Sequence, residues 1–151
     1  MENFKSFENQ ADELGSDEQK AIKAALKAVK NSYAPYSNFK VGASLLLENG
    51  ETILGSNQEN AAYPSGLCAE RTALFTYGAS GIKSPIKILA IVAFDKNDQQ
   101  SPTCSPCGAC RQVMTEFEQI QKKPYKVVFC YEGKIEVLDS SVTLLPFAFH
   151  F

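Results

Sequence analysis

The sequence predicts an α/β fold, in which a single three-layer domain contains a five-stranded mixed β-sheet flanked by helices. Two observations lead to this prediction. Helix-like and strand-like segments follow one another in the order α-β-β-α-β-α-β-β, which is typical of one sheet covered by helices. The segment PIKILAIVAF is also a nearly continuous apolar run, as expected for a strand that is buried on both faces.

The first three elements are a helix and a hairpin. The helix is predicted to begin in a capping box formed by Ser16 and Gln19. Its apolar residues share one face, and it is expected to end at Tyr33, before the Ala-Pro pair that follows. Two strand-like runs then surround Asn49 and Gly50. Because Asn-Gly favours tight turns, these runs are predicted to form a hairpin.

The remaining elements alternate in the same way. A polar loop leads to a second helix, predicted from about Ala69 to Tyr77, and a third helix is predicted in CGACRQVMTEFEQI. YKVVFCY and KIEVLD are predicted strands around Glu132 and Gly133. We divide the chain into an N-terminal extension without an assigned role, residues 1–15, and one domain, residues 16–151.

Composition limits the classes of function that need to be considered. The 151 residues are 44% hydrophobic and 21% charged, as in an ordinary globular domain. A net charge of −2 argues against a nucleic-acid partner. The sequence has neither a signal-peptide pattern nor an apolar stretch of roughly 18 residues. We therefore expect a cytoplasmic protein with no membrane partner, in which the five cysteines are reduced or bind metal.

The cysteines, rather than a histidine, carry the chemical signal, because the single histidine stands next to the C-terminus. In CSPCGAC, Cys107 and Cys110 share a helix face at spacing i and i+3. A helix N-terminus at this position would favour their thiolate forms. Cys104 is separated from them by a Ser-Pro pair, which disfavours helix. We therefore interpret Cys104 as a bystander.

A metal site needs at least one more ligand, and Cys68 is the best remaining candidate. Cys130 stands in the middle of the strand-like run VVFCY, where a small buried hydrophobic residue is expected. Three thiolates on one zinc ion leave a fourth tetrahedral position open. An open position distinguishes a catalytic zinc site from a closed structural one.

The segment SGLCAERTAL adds a carboxylate and a guanidinium to this cluster. Glu70 could serve as an acid/base beside the open position if Cys68 lies in the entry turn and Glu70 in the first helical turn. Arg71 could offset the charge of about −1 on a zinc ion with three thiolates. The alternatives are that Glu70 only stabilises the helix N-terminus and that Arg71 forms an exposed ion pair.

These residues resemble the cytidine and deoxycytidylate deaminase family, in its small homotetrameric form with three cysteines and zinc. The resemblance extends to five segments in the family's order, which together span most of the chain from about Ser16. They are YAPYSNFKVGASL, NQENAAYP, CAERTALF, SPCGACRQV and LLPFAF.

The resemblance implies a function for residues 16–151, as a zinc-dependent nucleoside deaminase domain with one zinc ion per chain. The implied reaction is hydrolytic deamination of cytidine and 2′-deoxycytidine to uridine and 2′-deoxyuridine plus ammonia, in pyrimidine salvage. Glu70 would move the protons to and from a zinc-activated water. A homotetramer is implied, with active sites at subunit interfaces that Tyr63 and Phe149 of neighbouring subunits complete.

The resemblance also implies the substrate contacts. Asn57 and Glu59 would hydrogen-bond the ribose hydroxyls, since residues two apart point to the same side of an extended segment. Phe39 would pack against the pyrimidine ring, although core filling is an alternative role for it. Ala69 would donate its backbone N–H to the carbonyl of the base.

Other functions remain open from the sequence. A deaminase of nucleotides or nucleic-acid bases is disfavoured because Glu59 would repel a phosphate, and a deaminase of a base-containing antibiotic is a further alternative. Non-enzymatic alternatives are an iron–sulfur cluster and a closed structural zinc site. The structural site would use four thiolates, from Cys68, Cys104, Cys107 and Cys110.

Overall fold

One mixed sheet of five strands lies between helices on its two faces. The computed structural model describes residues 10–151. The strands are β1 (Lys40–Leu47), β2 (Thr52–Ser56), β3 (Ile86–Phe94), β4 (Lys126–Tyr131) and β5 (Lys134–Leu138). The long helices are α1 (Ser16–Val29), α2 (Ala69–Ser80) and α3 (Gly108–Gln121), and short 3₁₀ turns lie at Tyr63–Ser65 and Ser141–Leu144. The predicted fold class and element order are confirmed.

The order of strands in the sheet is β2-β1-β3-β4-β5. β3 and β4 run parallel, with Leu89 opposite Val127, and the other pairs are antiparallel. The central strand β3 is almost entirely buried, as its apolar sequence predicts. The crossover from β3 to β4 passes through α3, which places the entrance of that helix beyond the carboxyl end of β3.

Two glycines show how closely the helices approach the sheet. A Cβ atom on Gly42 would stand 2.3 Å from the carbonyl oxygen of Ala25 in α1. A Cβ atom on Gly55 would stand 2.4 Å from the carbonyl oxygen of Ala69 in α2. Gly42 pairs with Ser56, so these two residues share one face of the sheet, whereas Gly55 lies on the other face. The two helices therefore cover opposite faces of the sheet. The close contact at Gly55 fixes the entrance of α2 against β2.

The first helix differs from its prediction at both ends. The predicted capping box is wrong, because Gly15 occupies the N-cap and the side chain of Gln19 donates to the carbonyl of Leu14 at 3.0 Å. The helix ends at Val29, and Tyr33 instead forms a parallel bridge with Gln58. Pairing with a distant segment thus takes Tyr33 out of the helix.

Both predicted turns are confirmed, and part of the N-terminal extension is visible. Gly50 has a φ of 85° in the β1–β2 hairpin, and Glu132 and Gly133 have φ values of 49° and 79° between β4 and β5. Residues 1–9 of the predicted extension lie outside the described residues. Within residues 10–15, Ala11 is buried in the core, and Gln10 donates to Gly133 at 2.9 Å and accepts from the amide of Ile135 at 3.1 Å. The boundary at residue 15 stays a prediction.

Candidate functional site

Three thiols meet at the entrances of two helices. The sulfur atoms of Cys68, Cys107 and Cys110 all lie within 4.8 Å of one another, and we refer to these residues as the thiol cluster. The Sγ atoms of Cys68 and Cys107 are 3.8 Å apart, and those of Cys107 and Cys110 are 3.4 Å apart. The structure therefore brings together the three cysteines that the sequence singles out as metal ligands.

The backbone presents these thiols in the same way on both helices. Cys68 is the N-cap residue of α2 and Cys107 the N-cap residue of α3, each with an extended backbone. Cys110 follows in the first turn of α3. Unsatisfied amide groups at a helix N-terminus carry partial positive charge, which stabilises thiolates. Two such ends converge on the thiol cluster.

The thiol cluster fits a zinc ion by its donors and its spacing. With Zn–S bonds of about 2.3 Å, tetrahedral geometry places sulfur atoms roughly 3.8 Å apart. The observed distances of 3.8 Å and 3.4 Å are close to that spacing. Soft thiolate ligands also suit zinc.

Arg71 supplies positive charge beside the thiol cluster. Its guanidinium donates to the Sγ of Cys68 at 3.7 Å. The pKa of Cys68 is lowered to about 5, mainly by its hydrogen bond with Cys110 and then by those with Arg71 and Cys107. The pKa of Cys110 is raised, mainly by its hydrogen bond with Cys68 and then by burial. The Nε of Arg71 is buried and has no hydrogen-bond partner within residues 10–151. The guanidinium thus lies beside the sulfur of Cys68, the thiol of the cluster whose pKa is lowered, and charge compensation by Arg71 stays a prediction.

Glu70 is the buried acid of the site. It lies in the first turn of α2, next to a Cys68 that precedes the helix, as predicted. The residue is only 5% exposed. Burial, together with the charge of Cys68, raises the pKa of Glu70 to about 7. A carboxyl group with this pKa can both accept and donate a proton near neutral pH.

The two remaining cysteines have other roles. The thiol of Cys104 donates to the carbonyl of Ile91 at 3.5 Å and accepts from the amide of Cys130 at 3.3 Å. Burial raises the pKa of Cys104 to about 12, which opposes metal binding. Cys104 does not join the thiol cluster, so the geometry does not support a closed four-thiolate site. Cys130 is fully buried in β4, as predicted.

A cavity of about 430 Å³ connects the thiol cluster with most of the predicted substrate contacts. Glu70, Arg71 and two members of the thiol cluster, Cys68 and Cys107, line it, and Cys104 lines it as well. Four of the predicted substrate contacts line the same cavity, namely Phe39, Asn57, Glu59 and Tyr63. Neither Ala69 nor Phe149 is among the lining residues described.

The two substrate contacts outside this lining are placed differently. Ala69 is fully buried as the first residue of α2, between two residues that do line the cavity. Phe149 is 66% exposed, and its ring makes an edge contact with that of Phe151 at 5.1 Å between centroids. The side chain of Gln112 in α3 donates to the carbonyl of Phe149 at 2.8 Å. Phe149 thus lies away from the cavity of its own chain.

Two loop segments, residues 32–39 and 57–59, lie outside the long helices and strands and contribute several lining residues to the cavity, and we call them the loop pair. Their backbones are joined through Tyr33, whose amide donates to Asn57 at 2.9 Å and whose carbonyl accepts from Glu59 at 2.8 Å. The Oδ1 of Asn57 accepts from the amide of Val41 at 2.8 Å and from Ser32, and its Nδ2 donates to the carbonyl of Phe39 at 2.8 Å. These bonds fix the orientation of the amide.

Sequence reasoning missed the hydroxyl groups that hold the loop pair together. Ser32 donates to Asn57, and Ser37 donates to a carboxylate oxygen of Glu59. Both contacts join residues more than 20 positions apart, so no local spacing identifies them. The nearest signal is that both serines flank or lie within the motif YAPYSNF.

Comparisons with known proteins identify the family of this chain. The family model for the cytidine and deoxycytidylate deaminase zinc-binding region matches residues 15–129. A cytidine deaminase from Halalkalibacterium halodurans is 44% identical over 133 residues, which cover 88% of this chain and 94% of that protein. A cytidine deaminase from Sporosarcina psychrophila is 50% identical over 101 residues, or 67% of this chain and 70% of that protein.

Solved structures show the same architecture. The crystal structure of a cytidine deaminase from Burkholderia pseudomallei has 42% identity and a TM-score of 0.71, and the match covers 86% of this chain and 97% of that one. The cytidine deaminase from Mycobacterium tuberculosis has 28% identity and a TM-score of 0.66, covering 91% and 100% of the two chains. Among residues 10–151, no helix has the length and apolar character needed to cross a bilayer.

Proposed function

This chain belongs to the cytidine and deoxycytidylate deaminase family, and from that premise we propose that it hydrolyses cytidine and 2′-deoxycytidine to uridine and 2′-deoxyuridine, releasing ammonia. One observation carries the proposal: a buried carboxyl group, Glu70, lines the same cavity as two members of a three-thiol cluster with metal-ligand spacing. An acid/base group beside an open metal position is what hydrolysis of an amine from a ring carbon requires. Such a reaction would serve pyrimidine salvage.

Each chain would hold one zinc ion through the thiolates of Cys68, Cys107 and Cys110. When bound, zinc supplies an activated water as the nucleophile. Arg71 and the two helix N-termini offset the negative charge of three thiolates, since the guanidinium already contacts the sulfur of Cys68. The family match to a zinc-binding region favours zinc over an iron–sulfur cluster.

Glu70 moves the protons of the reaction. Its carboxylate takes a proton from the attacking water and gives it to the ring nitrogen N3, next to the carbon that is attacked. It then takes the remaining proton of the added hydroxyl and gives it to the amine, which leaves as ammonia. Burial raises the pKa of Glu70 to about 7, a value that suits a group which both accepts and donates protons near neutral pH.

The loop pair offers one donor and one acceptor to the sugar. The oxygen of Asn57 is already occupied by two donors, so Asn57 presents only its second N–H to a ligand. The carboxylate of Glu59 presents only acceptor positions. This combination suits two ribose hydroxyls, one accepting and one donating, and a carboxylate beside the 3′-hydroxyl would repel a phosphate. Phe39 would pack on the pyrimidine, and the N–H of Ala69 would bind its carbonyl oxygen.

We also propose that four chains assemble with active sites at their interfaces and that the enzyme acts in the cytoplasm. Exposed aromatic side chains support the assembly, because Tyr63 is 86% exposed and Phe149 66% exposed in the single chain. Tyr63 lines the cavity of its own chain, and we propose that it also reaches a neighbouring one. The mass of the protein in solution, measured by light scattering, tests the tetramer.

An ultraviolet assay with three substrates tests the function. We expect turnover of cytidine and 2′-deoxycytidine, and little turnover of cytidine 3′-monophosphate, which places a phosphate at Glu59. A chelator should abolish turnover, and added zinc should restore it. A chain that binds zinc but leaves the absorbance of cytidine unchanged would contradict the proposed function.

A further inference from the structure

The hydroxyl of Ser37 is the unexplained polar group nearest to the proposed sugar contacts. We propose that Ser37 is a positioning residue, whose hydroxyl holds the carboxylate of Glu59 in the orientation that receives a ribose hydroxyl. This inference rests on the proposed function, since it concerns how the same cavity binds its nucleoside. Ser37 lines that cavity together with Glu59.

The carboxylate of Glu59 is held at both of its oxygens by one turn of the loop pair. Oε2 accepts from the amide of Tyr36 at 2.9 Å and from the amide of Ser37 at 3.3 Å. Oε1 accepts from the hydroxyl of Ser37. Of these contacts, the hydroxyl bond is the one made to Oε1, so it fixes the rotation of the carboxylate plane together with the two amide bonds to Oε2.

The direction of the Ser37 hydroxyl is itself determined. Its oxygen accepts from the amide of Phe39 at 3.0 Å, which leaves its proton to be donated to Glu59. Asn38 lies between these groups with a φ of 56°, a conformation that asparagine tolerates better than most residues. The turn therefore ties the proposed sugar contact at Glu59 to the proposed ring contact at Phe39.

Hydrogen bonds must hold Glu59, because packing does not. The residue is only partly buried, and a glutamate side chain without fixed partners samples many rotamers. The backbone bonds through Tyr33 fix where residue 59 stands but leave its side chain unconstrained. The Ser37 hydroxyl is also the largest cause of the lowered pKa of Glu59. Glu59 is thus prepared, before a ligand enters, as an ionised acceptor.

The test uses Ser37→Ala and the conservative variant Ser37→Thr on the zinc-loaded protein. We expect Ser37→Ala to raise the KM for cytidine three- to tenfold, since hydrogen bonds to charged groups are of that strength or more. The kcat and the zinc content should stay within about twofold of the wild type, because Glu70 and the thiol cluster are untouched. Ser37→Thr should recover most of the loss, because it keeps a hydroxyl.

A double-mutant cycle separates positioning from general weakening of the fold. If Ser37 acts through Glu59, adding Ser37→Ala to Glu59→Ala should raise KM no further. The penalty for 3′-deoxycytidine relative to cytidine should likewise be smaller in Ser37→Ala than in the wild type. Ser44→Ala is the structural control, because the buried hydroxyl of Ser44 bonds the carbonyl of Ala21, away from the cavity. It should lower the melting temperature without changing KM.

The inference would be overturned if the effects of Ser37→Ala and Glu59→Ala on KM multiplied in the double variant. A lowered kcat with an unchanged KM in Ser37→Ala would also overturn it. Calorimetric titration with uridine provides a readout without turnover. If the wild type binds uridine but does not deaminate cytidine, the proposed function fails alone, and the effect of Ser37→Ala on uridine affinity still tests Ser37. If the wild type binds no nucleoside, no ligand hydroxyl reaches Glu59 and both proposals fail.

Discussion

The thiol cluster and the loop pair line one cavity but are held in different ways. The thiol cluster stands at the ends of two helices that pack on the sheet, beside a glutamate that is only 5% exposed. The loop pair lies outside the long helices and strands, and hydrogen bonds from distant residues, including the amide of Val41 in β1, fix Asn57 and Glu59. We infer that the reacting end of the site is rigid through packing, and the sugar end through polar contacts.

The largest effect that this comparison predicts belongs to Glu70→Gln. Because a general acid/base contributes about 10²–10⁴-fold to a rate, we expect kcat to fall by that factor. The melting temperature should stay the same or rise, since burying a neutral amide costs less than burying a carboxylate. Stopped assays of kcat, with zinc analysis and calorimetry on the same sample, check both expectations.

A near-normal kcat in Glu70→Gln would show that another group moves the protons. Loss of zinc from this variant would contradict the assignment in a different way, by making Glu70 a ligand. Either result would contradict the division of roles in which the thiol cluster binds zinc and Glu70 transfers protons.

The next effect compares two cysteines three positions apart. Cys107→Ser should weaken zinc affinity more than roughly 100-fold. Replacing a residue that only hydrogen-bonds a metal ligand costs about 10–100-fold in affinity, and replacing the ligand itself should cost more. Cys104→Ser should keep full zinc occupancy, since its sulfur bonds the carbonyl of Ile91 and the amide of Cys130. Competition with a chromogenic chelator measures both affinities. Equal loss in the two variants would mean that Cys104 binds the metal.

The loop pair should respond in KM rather than in kcat. Glu59→Ala removes the acceptor of a ribose hydroxyl, and we expect a roughly 10- to 100-fold rise in the KM for cytidine. The variant should discriminate less between cytidine and 3′-deoxycytidine than the wild type does. A large fall in kcat with unchanged KM would show that the two parts of the cavity are not functionally separate.

The smallest predicted effect concerns the ion pair between Glu18 and Lys126, which is distant from the cavity. A variant of this pair should change the stability of the fold without changing substrate binding. The hydrogen bond from Lys126 lowers the pKa of Glu18 below 4.5. A lowered folded-state pKa contributes stability above pH 4.5, which is lost as the pH falls through the folded pKa. Glu18→Gln should therefore lower stability near neutral pH by at most about 1 kcal/mol.

Melting temperatures across pH 3–7 test this expectation on wild type and variant together. The gap between the two curves should narrow as the pH falls below about 4.5, while the KM for cytidine at neutral pH stays unchanged. A gap that widens on acidification would contradict the sign of the effect.

The sequence predicts each half of the thiol cluster from local geometry, whereas the contact between Cys68 and Cys107 joins positions 39 apart and is predicted only by elimination among the cysteines and by the family resemblance. Helix geometry relates Cys107 to Cys110. If Cys68 and Glu70 are to face one metal ion, Cys68 must precede the helix in which Glu70 lies, and this is where the structure places it. The bystander role of Cys104 also follows locally, from the Ser-Pro pair beside it. Such relations need only the conformation of a few consecutive residues.

The loop pair could not be predicted in the same way. Tyr33 continues the apolar face of α1 in the sequence, but in the structure it pairs with Gln58 instead. The contact between Ser37 and Glu59 spans 22 positions, and the one local signal for it is that Ser37 lies within the motif YAPYSNF. The resemblance named Asn57 and Glu59 as contacts, yet only the structure shows what holds them. Pairing of distant loops is a tertiary property that local patterns do not encode.

X-ray absorption at the zinc edge tests the central claim most directly. We expect three sulfur neighbours and one lighter oxygen or nitrogen neighbour in the wild type, with the same set in Glu70→Gln and in Cys104→Ser. Four sulfur neighbours would contradict the account, because the metal would then have no open position and Glu70 would have no water to act on.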